Sequence, residues 1–389
     1  MLLAEQRLLA TIKELWPVIW QAARYIYENP ELGGQEFKAV NYLTTLLKEY
    51  NFEVNERYLG LPTAFKAQFG SGKPAIYFLA EYDALPQIGH GCGHHLIAGA
   101  SLGAALALAK IKERWSGQIV VLGTPAEETQ GAKVELAKKG AFQECSAALM
   151  FHPGQSAVIN ITSQALEAIE VIYQGDFAHS AGKTGLGNPL LSLVNFYQQV
   201  IEYNKKYSPL YQIQGIISEG GRTPNLVPQR AVGRFYLRSL KEKDLEDLVG
   251  KFKEMAKEAA HQNNTKVRFN NFEPRYLPML TNSKLANIFI EASRDLGLSM
   301  DTRNYQIMGS LDMGNVSWQV PAIHPYLPLN GGSVVAHTPQ FAKKAGGKDG
   351  EKTMFLATSG LALTAFRLFT HRGYLESIWN EYRKRVKYK

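Results

Sequence analysis

The chain opens with two stretches in which apolar residues recur about every 3.6 positions, at residues 8–19 and residues 37–50. This spacing places the apolar side chains on one face of a helix. Two amphipathic helices are therefore predicted, separated by the turn-forming segment NPELGG at residues 29–34. Two short strands are predicted to follow, at residues 52–54 and 63–69.

Short apolar runs then alternate with longer helical segments. Strands are predicted at residues 75–80, 118–123 and 147–151, and helices at residues 96–112 and 132–139. Each connection is long enough for a crossover between parallel strands. Because the strand segments are apolar throughout, we expect helices on both faces of the sheet. The pattern predicts an α/β fold with a doubly wound, mainly parallel sheet.

The pattern changes near residue 162, where alternating strands and amphipathic helices follow one another in the order βαββαβ. The predicted strands are residues 166–174, 211–218, 229–239 and 267–272, and the predicted helices begin at residue 189 and span residues 241–261. This order is typical of a ferredoxin-like domain. We therefore predict an inserted lid or dimerisation domain at residues 163–278. Residues 1–162 and 279–389 together would form a discontinuous, metal-binding catalytic domain.

The last segment returns to helical patterning, with helices predicted at residues 285–296 and 353–370. Residues 331–350 are rich in glycine and lysine and are predicted to be irregular, and the chain is expected to finish in a polar tail.

Composition narrows the class of protein. The chain has 389 residues, 45% of them hydrophobic and 20% charged, which is typical of a soluble enzyme with two domains. No apolar run reaches the roughly 20 residues of a membrane helix and no signal peptide is evident, so a cytoplasmic location is expected. Two cysteines cannot form a disulfide framework. The net charge of +8 lies partly in the basic tail without an aromatic-basic pattern, so neither nucleic acid nor membrane is an expected partner.

Candidate metal ligands follow each of the three predicted parallel strands. Cys92 and His94 come after the first strand, the adjacent Glu127 and Glu128 after the second, and His152 after the third. Ligands of such sheets bind in the crevice beyond the carboxyl ends of the strands, where these side chains would meet. Thiolate, imidazole and carboxylate groups together suit a transition metal. In a pair of adjacent carboxylates, one can bind metal while the other transfers protons.

Each of these residues also has a purely structural interpretation. A buried cysteine is usually a small hydrophobic residue, an acidic dipeptide is usually a solvated loop, and a lone histidine is usually hydrogen-bonded within the core. The metal interpretation gains weight only because the residues fall at matching places on three strands.

The combination of motifs resembles the co-catalytic metallopeptidase family of aminoacylases and glutamate carboxypeptidases. The similarity is to its amidohydrolase branch, with hydrolases of auxin conjugates and of aminobenzoyl-glutamate, and within it to the group called peptidase domain-containing protein two, associated with β-alanyl dipeptides of basic amino acids. The matching motifs occur in family order and span nearly the whole chain: NPEL at 29–32, AEYDALP at 80–86, GHGCGH at 89–94, PAEE at 125–128, FHP at 151–153, AHS at 178–180, PNLVP at 224–228, GSLDMGNVS at 309–317 and AHTP at 336–339.

The resemblance implies a site with two divalent metal ions, zinc first and manganese, cobalt or nickel as alternatives. Its five implied protein ligands are Cys92, His94, Glu128, His152 and His337, with Cys92 either bridging the two ions or approaching both, and with Asp83 orienting a ligand histidine. Glu127 resembles the general base that deprotonates a metal-activated water.

The resemblance also assigns residues of the inserted domain. His179 resembles a histidine that is supplied to the active site of the partner subunit of a homodimer, where it would stabilise the tetrahedral oxyanion. Asn225 resembles a substrate-contacting asparagine. Arg238 or Arg234, which share a strand face, could bind a substrate carboxylate or could be surface charges. The implied reaction is hydrolysis of an amide or peptide bond in small N-acyl amino acids or dipeptides.

Two positions depart from the wider family, and two other functions stay open. Glu81 stands where most relatives begin a His-x-Asp pair, and His95 stands where relatives often carry another polar residue.

One alternative function is that of an amidase with Cys92 as nucleophile and His94 or His95 as base. The other is a non-catalytic dimeric homologue that only binds.

Overall fold

The computed structural model describes residues 2–175, 187–307, 309–329, 332 and 334–387, with the backbone of residues 178–179. The helices are α1 Leu3–Glu28, α2 Phe37–Glu49, α3 His94–Lys110, α4 Ala132–Lys138, α5 Pro189–Tyr207, α6 Glu242–Gln262, α7 Ser283–Asp295, α8 Met313–Ser317, α9 Pro339–Ala345, α10 Lys348–Thr370 and α11 Arg372–Lys387. The strands are β1 Glu53–Glu56, β2 Phe65–Ser71, β3 Ala75–Ala80, β4 Gly117–Gly123, β5 Ala147–Leu149, β6 His152–Gly154, β7 Ile161–Thr162, β8 Ala165–Gln174, β9 Ala178–His179, β10 Tyr211–Glu219, β11 Leu226–Val227, β12 Arg230–Ser239, β13 Lys266–Asn271, β14 Tyr305–Gln306, β15 Ala322–Ile323 and β16 Tyr326–Pro328.

The chain divides into two compact units. Unit 1 consists of Met1–Thr162, Met279–Ile307 and Asp312–Lys389, and unit 2 consists of Ser163–Pro278 with Met308–Leu311. Unit 1 is thus discontinuous in sequence, and most of unit 2 is inserted between the first two of its three segments.

A six-stranded mixed sheet forms the centre of unit 1. Its order is β1-β2-β4-β3-β5-β15, in which β4, β3, β5 and β15 are mutually parallel. At one edge β2 pairs antiparallel with β4, and β1 pairs antiparallel with β2. Every residue of β3 is buried, as expected of a strand covered on both faces. The predicted α/β class with a mainly parallel sheet is confirmed.

Two helices account for much of the unit 1 core. Helix α3 consists largely of small and aliphatic residues that are buried all round, and it packs against β3, α1 and α10. Helix α10 is long and apolar enough to cross a membrane, but 83% of its most apolar window is buried inside the protein, as in a core helix. It packs against α3, α7 and α1, so its hydrophobicity is explained by packing.

Unit 2 is an antiparallel sheet of order β10-β12-β8-β13 covered by helices α5 and α6. In chain order this is the predicted βαββαβ arrangement. Its core contains Phe196 of α5, Phe235 of β12 and Phe252 of α6, whose rings lie 4.9–5.3 Å apart. Close packing of large aromatic rings gives this small unit a substantial core of its own.

Several predicted boundaries of helices in unit 1 are wrong. Helix α3 begins at His94 rather than at residue 96, so His94 occupies its first turn. The segment at residues 331–350 is not wholly irregular, because it contains α9 and the start of α10. Thr338 caps α9 by accepting a hydrogen bond from the Phe341 N–H, at 3.2 Å. The polar tail is the helix α11, anchored through the buried Ile378.

Candidate active site

Acidic and histidine side chains follow the carboxyl ends of the parallel strands of unit 1, at one edge of the sheet. Strand β3 leads into Glu81 and Asp83, β4 into Glu127 and Glu128, and β5 into His152. In open α/β sheets this edge is where ligands bind.

A glycine-rich loop brings Cys92 and His94 into the same place. Gly93 has φ of +80°, and a Cβ atom there would lie 2.6 Å from a side-chain carbon of Pro153. Only glycine fits this left-handed, tightly packed position between the two polar residues. The segment before α9 contacts this loop, because the N–H of His337 donates to the carbonyl of Gly91 at 2.8 Å.

The adjacent glutamates stand on a turn that begins with Ala126 in a left-handed conformation (φ +56°). The Ala126 N–H donates to the buried Glu36 carboxylate at 2.8 Å. The Ala126 carbonyl accepts hydrogen bonds from the backbone of residues 129–131. This turn directs both glutamate side chains, each only 13–14% exposed, toward the site.

Two of the four groups of potential ligand atoms found among the described residues share one cysteine. Cys92, His94 and His152 make one group, and Cys92, Glu128 and His337 make the other; the ligand atoms within each group lie within 4.8 Å of one another. The Sγ of Cys92 is 3.3 Å from Nε2 of His152, and Nε2 of His337 is 3.2 Å from a carboxylate oxygen of Glu128. All five predicted ligands are therefore brought together in unit 1.

The outward-facing nitrogen of two of these histidines is left available for a ligand. The Nδ1–H of His94 donates to Asp83 Oδ1 at 2.9 Å, and that of His152 donates to the Pro153 carbonyl at 2.7 Å. Such contacts fix the tautomer and turn Nε2 of each ring toward the other potential ligands. The buried Nε2 of His94 has no hydrogen-bond partner among the described residues.

The charges around this edge fit divalent cations. Within the part of the chain that the structure describes, six side chains that can be anionic converge with one lysine: Glu81, Asp83, Cys92, Glu127, Glu128 and Asp312 with Lys133. Burying such an excess of negative charge is costly unless cations compensate it. Ligands of a tetrahedral ion with bonds of about 2.0–2.3 Å lie roughly 3.3–3.6 Å apart. The observed separations of 3.2–3.3 Å are close to that spacing.

The two adjacent glutamates differ electrostatically. Burial, together with Glu81, Asp312 and Glu128, raises the pKa of Glu127 well above its usual value. Burial also opposes ionisation of Glu128, but the hydrogen bond from His337 and the proximity of His94 outweigh it and lower the pKa of Glu128. A carboxyl that readily holds a proton beside one that stays ionised is the division expected of an acid–base group next to a ligand.

Cys92 lacks the environment of a thiol nucleophile. It is buried, and burial together with the nearby Glu128 raises its pKa well above the usual value. Nucleophilic cysteines instead have lowered pKa values in electropositive surroundings. The thiolate form at this position needs a metal cation for its stabilisation.

Sequence reasoning missed two buried residues at this edge. Lys133 lies between Glu81 and Asp312, with Nζ 2.5 Å and 2.8 Å from their carboxylate oxygens. His324 directly follows the fourth parallel strand, β15, and its ring centroid lies 5.6 Å from that of His152. The short run Ala322-Ile323 before His324 was the available signal, but two residues are too few to identify a strand from sequence.

The other predicted site residues lie in unit 2. Strand β9, which contains His179, pairs with β11, which begins directly after Asn225, and the His179 side chain lies outside the described residues. Arg238 on β12 donates a hydrogen bond to Gln214 and lies 5.1 Å from the ring of Tyr236, while Arg234 is 3.0 Å from Glu170. Both arginines already have partners on the sheet.

Comparison with known proteins identifies the group to which the chain is similar. Residues 77–354 match the model of peptidase family M20/M25/M40. The chain is 32% identical to the human Xaa-Arg dipeptidase, over 94% of this chain and 88% of that one. It is 26% identical to one of the subunits of the p-aminobenzoyl-glutamate hydrolase of Escherichia coli, over 93% of this chain and 91% of that one.

Solved structures show the same fold. A dinuclear metal-binding peptidase of the M20 family from Bacillus subtilis superimposes with a TM-score of 0.71 at 18% identity, covering 92% of this chain and 99% of that one. The sequence match and its extent, together with the geometry of the site, identify the chain as a member of peptidase family M20/M25/M40, a metal-dependent hydrolase of amide or peptide bonds.

Proposed function

We propose that this protein is a dipeptidase that cleaves small dipeptides with a basic carboxy-terminal residue, using two divalent ions. The observation that carries the proposal is the position of Glu127 beside two groups of potential ligands that share Cys92. A shared thiolate between two ligand sets suits a pair of adjacent ions.

The first ligand group, Cys92, His94 and His152, would hold one ion, and the second group, Cys92, Glu128 and His337, would hold the other. Divalent ions lower the pKa of a bound water and polarise a carbonyl. Glu127 would accept the proton from the attacking water and return it to the leaving amine. Its burial supports this role, because the carboxyl readily keeps a proton between the two transfers.

The substrate class follows from the relatives rather than from a pocket. The human relative is named for dipeptides ending in arginine and matches almost the whole chain. The relative from Escherichia coli is named for an aminobenzoyl-glutamate, which makes acylated amino acids the second candidate class. Both classes place an amide bond next to a carboxylate, and β-alanyl dipeptides belong to the first.

We propose zinc as the resident metal, because a thiolate with several imidazoles favours it. Manganese, cobalt and nickel are the alternatives for sites that mix carboxylate and histidine. A cytoplasmic location, where the thiol would stay reduced, agrees with this ligand set.

A hydrolysis screen tests the proposal. The metal-free protein would be supplemented with zinc, manganese or cobalt and given alanyl-arginine, β-alanyl-lysine, aminobenzoyl-glutamate and acetylated amino acids. We expect cleavage of the basic dipeptides, its loss on chelation and its return with metal. Cleavage that persists in chelator contradicts the metal mechanism, and cleavage of the acylated substrates alone contradicts the dipeptide assignment.

We also propose that the enzyme is a homodimer formed through unit 2. Strand β10 pairs only with β12 among the described residues and carries the exposed Ile216 and Ile217. An apolar edge strand is a surface that proteins normally cover. Exposed Leu191 and Val194 lie on the neighbouring helix α5. Light scattering should give the mass of a dimer, and Ile216→Lys should shift it to a monomer; a monomeric wild type contradicts the proposal.

A further inference from the structure

Three carboxylates surround one buried ammonium group at this edge of the sheet. One carboxylate oxygen from each of Glu81, Glu127 and Asp312 lies within 4.8 Å of the other two. The Nζ of Lys133 donates hydrogen bonds to Glu81 at 2.5 Å and to Asp312 at 2.8 Å. Lys133 and its two partners are at most 1% exposed. The two carboxylates beside Glu127 therefore share a single positive charge.

The Glu127 carboxylate differs from these two neighbours in how it is held. Among the described residues, none donates a hydrogen bond to it. The Nε2 of His94 lies 4.0 Å away, which is beyond hydrogen-bond distance. The direction of the carboxylate is therefore set by the charges around it. Like charges repel more strongly in a buried place than in water, so two uncompensated carboxylates would push Glu127 away.

Asp312 fixes the position of Lys133 from both ends. Its Oδ1 accepts a hydrogen bond from Nζ, and its Oδ2 accepts one from the Lys133 backbone N–H at 3.2 Å. Lys133 lies in the first turn of α4, and Asp312 directly precedes α8, which packs against α4. The ammonium group is thus held beside Glu81 and Asp312 and cannot follow a movement of Glu127.

We propose that Lys133 is a positioning residue for Glu127 and that Asp312 holds Lys133 in place for this purpose. The ammonium group neutralises one of the two carboxylates next to Glu127. The third carboxylate can then stay close to them, within reach of the potential ligands around His94. The inference rests on the proposed function in one respect, which is the role of Glu127 as the base.

A purely structural role for Lys133 leads to a different expectation. If Lys133 and Asp312 only join α4 to α8, loss of the Asp312 charge should add to the damage caused by loss of Lys133. If Lys133 acts through its charge, removing one negative charge should compensate for the missing positive one. A double-mutant cycle between the two positions separates these expectations.

Steady-state kinetics of the metal-loaded protein on alanyl-arginine would compare wild type, Lys133→Met and the double variant Lys133→Met/Asp312→Asn. Methionine is an unbranched side chain that fills the space of the lysine stem, and asparagine has the shape of aspartate. We expect Lys133→Met to lower kcat by about tenfold or more, because the base is misplaced. KM and the metal content should stay as in wild type. The double variant should recover most of the lost kcat.

Crystal structures of the same three metal-loaded proteins provide a measurement that does not depend on turnover. The Glu127 carboxylate should turn away from Glu81 in Lys133→Met and return to its wild-type position in the double variant. Lys138→Met, at an exposed position on the same helix, is the control and should change neither kcat nor this carboxylate. If Lys133→Met does not fold, the double variant is compared directly with wild type and should match it in both measurements.

The outcomes distinguish this inference from the proposed function. A Glu127 carboxylate that stays in place in Lys133→Met contradicts the inference, and so does a double variant that is no more active than Lys133→Met. A wild-type protein that cleaves none of the amide substrates contradicts the proposed function instead, and the crystal structures then still decide whether Lys133 positions Glu127.

Discussion

Asp83 Oδ1 lies 2.9 Å from Nδ1 of His94, and both side chains are completely buried. Burial opposes ionisation of Asp83, but His94, the N–H of Glu128 and Lys133 outweigh it and lower the pKa of Asp83. The second oxygen, Oδ2, accepts the Glu128 N–H at 3.0 Å. One carboxylate thus orients a residue from each of the two groups of potential ligands.

We expect Asp83→Asn to weaken metal binding by about 10–100-fold, because an amide cannot accept both hydrogen bonds. Its NH₂ group would face either the His94 N–H or the Glu128 N–H. Metal titration against wild type measures the change. Glu53→Gln, at an exposed position on β1, is the control and should bind metal as wild type does. Wild-type affinity in Asp83→Asn would contradict the orienting role.

Glu127→Gln and Glu128→Gln should have different consequences although the residues are neighbours. Without a base, Glu127→Gln should lower kcat by about 10²–10⁴-fold while both ions remain bound. Glu128→Gln should instead lose the ion shared with His337. Metal content and single-turnover rates, measured on the same preparations, separate the two effects. Wild-type kcat in Glu127→Gln would refute its assignment as the base.

Mixing two inactive variants tests the role that the resemblance gives to His179. His179→Ala and Glu127→Gln homodimers should each be nearly inactive. After subunit exchange, a mixed dimer holds one site with an intact Glu127 and a partner with an intact His179. Random exchange should restore up to about one quarter of the wild-type sites. If exchange is shown by mass spectrometry and activity stays absent, His179 does not act across a dimer.

Stability should depend on pH through Glu5 of α1, which accepts a hydrogen bond from Arg367 of α10 at 2.8 Å. Burial raises the pKa of Glu5, but Arg367 and the Leu2 N–H outweigh it, so the pKa is below its usual 4.5. A lowered carboxyl pKa stabilises the fold above the unfolded pKa, and this contribution is lost as the pH falls through the folded one.

Glu5→Gln should therefore lower the free energy of unfolding by about 1–3 kcal/mol at neutral pH, and its stability should decline less on acidification. Urea unfolding across the acidic range measures both effects. Glu14→Gln, in the exposed pair with Arg7, should change stability by less than about 1 kcal/mol. An equal loss of unfolding free energy in both variants would show that burial does not strengthen the pair of Glu5 and Arg367.

The sequence predicted this fold well where patterns are long and local. Strand β3 and the start of α4 agree with their predicted bounds, because uninterrupted apolar runs and glycine signals mark them. Short elements such as β15 were missed, since two residues carry no period. The first turn of α3 was missed because His94 and His95 interrupt an apolar pattern, yet both are buried.

The candidate ligands could be found from sequence because they follow strands or occur in family motifs. Lys133 could not, since its position on α4 looks like an ordinary surface lysine next to Ala132. Only the three-dimensional structure shows that it is completely buried between two carboxylates that are distant in sequence. Long-range electrostatic pairing of this kind leaves no periodic signal along the chain.

The division of unit 1 into segments on either side of unit 2 has a consequence for folding. Cys92 and Glu128 belong to the first segment and His337 to the last, so their ligand group assembles only after the chain beyond the insert has docked. An ion that binds this completed group favours the native state over every partly folded one by mass action. Metal supply during synthesis would then influence the yield of folded enzyme as well as its catalytic rate.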